Sequence, residues 1–212
     1  VALYGIKLAS KLREYLQLSD YEIQAYRASA ADRLREMQNG DGSWPWFRGL
    51  SGSNYITAQI AVLLARAQTM TGAPYEGQMC RQAMSYLDGE LQKAVEEMKR
   101  DKVVANGLPE WIYNYLYAAH LLQRKATPSV QYVLKKFAQN NKDLTMYGKS
   151  AQAIVLSGTA YDETARNALQ SVVEPTVTSP EMGRYFDTER ALGGWASYRI
   201  PTQTFAIEAL QR

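Results

Sequence analysis

Apolar positions recur at three- and four-residue steps along nearly the whole chain, the spacing of one helical face. Leu3, Ile6, Leu8, Leu12 and Leu16 predict a first helix. Ser19 and Asp20 follow as N-cap candidates, and a second helix runs over 21–38 with Ile23, Tyr26, Ala30, Leu34 and Met37 on one side. Asn39-Gly40-Asp41-Gly42-Ser43 is a turn cluster that stops it. The run from Tyr55 to Leu64 is too long for one strand and rich in Ala and Leu, so it reads as a buried helix ending before Gly72-Ala73-Pro74. A long amphipathic helix spans 75–99, with Gly89 as a candidate interruption. Pro109 suits the first turn of the next helix, which carries Trp111, Ile112, Tyr115, Leu116, Ala119 and Leu122. Thr127 and Pro128 stand as N-cap and first helical residue of another, to about Asn140. Small residues dominate a helix over 144–157, and a further helix spans 162–173. Residues 175–200 read as irregular, and Pro201 opens a last helix through Leu210.

The pattern therefore predicts an all-α chain of about nine helices without a convincing strand. Helices rich in Ala, Ser and Gly (57–67 and 148–156) tolerate burial all round, whereas charge-rich ones lie outside. Alternation of inner and outer helices is what a ring or stack of αα-hairpins requires. An internal similarity points the same way. Gly42-Ser43-Trp44 precedes Ile56-Thr57-Ala58-Gln59 and an apolar helix; Gly193-Gly194-Trp195 precedes Ile200-Pro201-Thr202-Gln203 and another. Gly permits the tight turn, Trp fills the gap between hairpins, and Gln satisfies unpaired backbone groups near a helix end.

Composition narrows this further. The 212 residues suit one domain over 1–212, and 46% hydrophobic with 21% charged residues is ordinary for a globular chain. No apolar stretch is long enough for a membrane span. Cys80 is the lone cysteine and His120 the lone histidine, which excludes an internal disulfide and Cys- or His-rich metal sites. The net charge of +3 comes from scattered pairs such as Lys135 and Lys136, with no basic arm for nucleic acid. The chain starts at Val1 without an initiator Met or signal segment, so it is expected to be a piece of a larger protein, and its compartment is not encoded here.

Candidate chemistry is sparse. Asn39, Asp41 and Ser43 have the alternate spacing of a calcium loop's first ligands, but Leu50 stands where its bidentate Glu belongs. Asp41 beside Trp44 and Trp46 is a candidate acid of a sugar site, with Glu110, Asp187 or Glu189 as partner carboxylate; an exposed turn Asp is the plainer identity. Terpene cyclisation lacks its Asp-x-Asp-Asp motif, and prenyl transfer lacks a zinc set, because Cys80 and His120 fall on different helices. No nucleophile neighbours His120 in sequence, and a lone Cys is mostly buried or tolerated. The chain has 15 Tyr against four Phe, and Tyr113, Tyr115 and Tyr117 cannot all face one way on a helix, so some are expected on a surface or cleft.

The segment Gln38-Asn39-Gly40-Asp41-Gly42-Ser43-Trp44 resembles the Gln-x-x-x-Gly-x-Trp turn of αα-toroid proteins, where it ties hairpins together. With Pro45-Trp46-Phe47 and Tyr55-Ile56-Thr57-Ala58 it resembles the bacterial alpha-2-macroglobulin-like family, in particular the thioester domain of Bacteroidetes-type members. Gly183-Arg184-Tyr185-Phe186, Gly194-Trp195 and Ile200-Pro201-Thr202-Gln203-Thr204-Phe205-Ala206-Ile207-Glu208-Ala209 resemble a later segment of the same domain. The resemblance implies an α/α toroid, complete or open, inside a large periplasmic or cell-envelope protein that traps proteases. Its partners are then target proteases and other domains of the same chain. The family's Cys-x-Glu-Gln thioester motif is absent, since Cys80-Arg81-Gln82 lacks the spacing, and by the resemblance it would precede Val1. No catalytic, cofactor-binding or metal-binding residue is carried over and no cofactor is expected; the residues carried over are structural: Gln38, Asp41, Gly42, Trp44, Trp46, Thr57, Trp195 and Gln203. Two other readings stay open: a toroid enzyme acting on a carbohydrate or isoprenoid in an aromatic-lined cavity, and a Tyr-rich protein-interaction module.

Overall fold

A computed structural model describes residues 17, 19–71, 77–101, 108–139, 144–186 and 199–211. The described chain is all-α apart from one short hairpin. Its helices are α1 (Asp20–Met37), α2 (Asn54–Thr71), α3 (Gly77–Asp101), α4 (Glu110–Leu121), α5 (Pro128–Gln139), α6 (Met146–Leu156), α7 (Asp162–Val173) and α8 (Arg199–Leu210). The expected helix over residues 3–16 lies outside the described residues. Contacts group the chain into two compact units, 1–94 with 110–125 and 95–109 with 126–212, and α3 runs from the first into the second.

Local chemistry sets the helix starts. Ser19 caps α1: its Oγ accepts the Glu22 N–H at 3.2 Å, while the Glu22 carboxylate accepts the Ser19 N–H at 2.9 Å. Ser53 serves α2 likewise, accepting the Ile56 N–H on its side chain and the Thr57 N–H on its carbonyl. Thr127 accepts the Val130 N–H ahead of α5, and Thr145 accepts the Gly148 N–H ahead of α6. α3 continues unbroken through Gly89, which faces open solvent. Loss of backbone entropy there costs about 1 kcal/mol relative to Ala, and the flanking buried residues Leu87 and Leu91 offset it.

In the first unit α2 packs along α4. Small residues make the close approach possible: Ala58, Ala61, Ala65 and Ala67 of α2 are buried, as are Ala118 and Ala119 of α4. α4 is enclosed on every side from Ile112 to Ala119. Tyr113, Tyr115 and Tyr117 do point in different directions, but all three are buried rather than lining a surface. The phenol of Tyr115 donates to Asp88, and the ring of Tyr117 lies 5.2 Å beneath the Arg66 guanidinium.

In the second unit α6 is the central helix. α7, α8 and α5 pack on it, and it is buried from Ser150 through Leu156, as its small-residue composition predicts. One cluster joins Val172, Phe186 and Ala206 with Met146; another joins Ala138, Leu156 and Ala165 with Leu134 and Tyr161. The stretch read as irregular contains a strand pair, β1 (Val177–Ser179) and β2 (Gly183–Tyr185), antiparallel with Val177 opposite Tyr185. Ser179 Oγ accepts the Glu181 and Met182 N–H groups in the turn, and Gly183 takes the left-handed conformation (φ 72°) that brings the chain back. Three-residue strands are too short to show a period-two pattern. No helix among the described residues is long and apolar enough to cross a membrane.

Candidate functional site

The turn after α1 gathers most of the residues singled out in the sequence. Gln38 leaves the helix, and its Nε2 donates to the Gly42 carbonyl at 3.0 Å and to the Met79 carbonyl of α3 at 3.1 Å. One amide therefore closes the turn and ties it to another helix. Within the turn the Asn39 N–H donates to the Ser43 carbonyl and the Gly42 N–H to the Asn39 carbonyl, both at 2.9 Å. Gly42 has φ 90°, and a Cβ there would collide with the backbone carbonyl of Gln82. Both conformation and space thus require glycine. Gly52 is similarly confined, because a Cβ on it would run into the Ser43 side chain.

Asp41 is exposed, and its Oδ1 accepts the Ser43 N–H at 2.9 Å and the Ser43 hydroxyl at 2.6 Å. These two donors, the hydroxyl first, hold its carboxyl below the usual carboxylate range. A general acid needs the opposite shift. Asn39 Nδ2 donates to Ser43 Oγ at 3.1 Å, so Asn39, Asp41 and Ser43 direct their polar atoms at one another. The described residues contain no group of three or more His, Cys, Asp or Glu able to hold a metal ion.

Trp44 is 1% exposed and bonded at both ends. Its indole Nε1 donates to the Leu34 carbonyl of α1 at 2.8 Å, and its backbone N–H donates to Thr57 Oγ1 of α2 at 2.9 Å. Thr57 is itself fully buried. The Leu34 carbonyl belongs to the last turn of α1 and also accepts the Gln38 N–H at 3.1 Å, so the indole is its second donor. Trp46 behaves differently: it is 59% exposed and lies nearly parallel to Tyr55, ring centroids 5.9 Å apart. Phe47 and Leu50 beside it are exposed as well.

The later motif is described in part. Gln203 of α8 brackets one residue, donating from Nε2 to the Phe186 carbonyl at 3.1 Å and accepting the Phe186 N–H on Oε1 at 3.4 Å. Trp195, Asp187 and Glu189 lie outside the described residues. A third glutamine with this use escaped notice in the sequence: Gln152, buried in α6, donates to the Phe137 carbonyl in the last turn of α5 at 2.6 Å. Its only sequence signal is a polar residue within an apolar run, Ala151-Gln152-Ala153-Ile154.

The other candidates do not converge. Glu110 is half-buried in the first turn of α4, and burial pushes its carboxyl upward. His120 is half-buried near the end of the same helix. Cys80 is a buried free thiol on α3; burial raises its pKa, against a smaller pull from the charges of Arg124 and Arg81. Beside it Arg124 grips Asp88 through two bonds, Nη1 to Oδ1 at 3.1 Å and Nη2 to Oδ2 at 2.8 Å. No protein-family model matches the chain, and no curated protein matches it.

Proposed function

We propose that this chain is part of an α/α-toroid domain of a bacterial alpha-2-macroglobulin-like protease trap, and that it serves there as scaffold. The observation that supports this reading is the clasp after α1. The residues from Gln38 to Trp44 that carry the first part of the resemblance meet Thr57 in one place, and their polar atoms are spent on carbonyls of α1 and α3 and on the Thr57 hydroxyl of α2. Such a clasp keeps hairpins in register; it leaves no nucleophile or acid poised for chemistry. On this reading the parent protein sits in the periplasm or cell envelope, and its partners are target proteases and its own neighbouring domains.

A trap encloses a protease without blocking its catalytic centre. The full-length parent mixed with trypsin should therefore suppress hydrolysis of a large protein substrate and spare hydrolysis of a small peptide substrate. Equal suppression of both, or of neither, would overturn the proposal.

One observation favours a second reading, an interaction module. Trp46, Phe47 and Leu50 put three large apolar side chains on the surface within one turn. The tyrosines of α4, which first suggested such a module, are buried and do not contribute.

A further inference from the structure

The first unit contains a cavity of about 450 Å³ lined by none of the clasp residues, a volume within the range of small-molecule sites. Its polar lining is Gln68, Arg81 and Arg124, with no carboxylate among the lining residues; Met84 and Leu122 supply apolar wall, and the Cys80 thiol borders it. The two guanidinium groups differ. Arg124 is neutralised and oriented by its two bonds to Asp88, which also accepts the Tyr115 hydroxyl at 2.6 Å. Arg81 is exposed and pairs with no acid among the described residues. Among the described residues, the lining therefore carries one positive charge without an acidic partner, next to an apolar wall. A monoanion with a hydrocarbon tail matches both features, whereas a dianion would leave charge unpaired.

We propose that this cavity binds a small organic monocarboxylate, its carboxylate held by Arg81 and the oriented Arg124 and its hydrocarbon laid along Met84 and Leu122. The site uses none of the clasp residues and does not depend on the trap reading.

Cys80 is the only thiol in the chain and reports on the cavity directly. The experiment follows carbamidomethylation of Cys80 in the 212-residue chain by intact mass. Octanoate is the probe, with 1-octanol and inorganic phosphate as comparators. Octanoate at ten times its Kd should slow alkylation about tenfold, because only the unliganded form opens to reagent. Octanol and phosphate should leave the rate unchanged. Arg81→Gln should lose the protection relative to its own ligand-free rate, and Arg81→Lys should keep it; both changes sit on an exposed helix position, and unchanged helical circular dichroism confirms that they fold. Equal protection by octanol reduces the cavity to an apolar void, and equal protection by phosphate makes it a general anion site. Protection that survives Arg81→Gln removes the assigned cation. Each of these results, like no protection by octanoate, overturns the proposal.

Discussion

Trp44 and Trp46 are two residues apart and do different things. Trp44 is buried with both its N–H groups bonded; Trp46 lies on the surface against Tyr55. Truncating a buried Trp removes its packing and leaves a cavity, about 3–5 kcal/mol. Trp44→Ala should accordingly destabilise the chain by that amount in urea unfolding, with Trp46→Ala below about 1 kcal/mol. A loss of similar size for both would mean that the turn is not organised as described. Asp41 carries a pH signature. The Ser43 hydroxyl and N–H depress its pKa in the folded state, so its contribution is present above the unfolded-state value of about 3.9 and disappears as pH falls through the folded-state value. Asp41→Asn should lose that contribution at neutral pH, converge on wild type at low pH, and so flatten the acid limb of the stability–pH curve below about pH 4. Equal destabilisation at neutral pH and at about pH 2 would contradict the assignment. The sequence reads Asp41 as a turn residue from its neighbours alone, because Asx side chains bond their own backbone two residues on. The partner of Trp44 was not readable, since nothing in a sequence says that Thr57 Oγ1 will face an indole-bearing backbone thirteen positions earlier.

At the scale of elements, the turn is the most legible feature because glycine has few other reasons to stand there. Gly42 combines φ 90° with contact against the Gln82 carbonyl. Gly42→Ala should cost at least about 2 kcal/mol, the left-handed penalty plus displacement of α3. Gly89→Ala, on the open face of α3, should instead stabilise by about 0.5–1 kcal/mol. Thermal melts of the two variants should therefore move in opposite directions; shifts of the same sign would contradict the account. Strongly periodic helices were legible: α7 falls on 162–173 as its pattern predicts, and α1 and α2 begin within one residue of expectation. The β1–β2 pair was not, because three residues give no periodicity and its register depends on Ser179 and Gly183. The tyrosines of α4 were misread for a similar reason. Alternation on a helix says only that they diverge; burial on every side comes from α2 and its alanines, a tertiary fact.

For the whole molecule, two compact units each build a core around a helix with several small residues, α2 paired with α4 in one and α6 in the other. Glutamines recur as fasteners in both: Gln38 in the first, Gln152 and Gln203 in the second, each donating to a backbone carbonyl far along the chain or at a helix end. An amide suits this role because it is uncharged and carries both donors and an acceptor, so burial costs little once it is bonded. The all-α class was legible from periodicity; closure into a ring, and the parent's activity, rest on the resemblance and are proposals. The central claim is that the resemblance residues are frame rather than machinery. The most direct test measures how many trypsin molecules the full-length parent retains, in wild type, Asp41→Asn and Trp44→Ala. The account predicts that wild type and Asp41→Asn retain the same amount, while Trp44→Ala loses retention together with thermal stability. Loss of retention in a fully stable Asp41→Asn protein, or no retention by wild type, would contradict it.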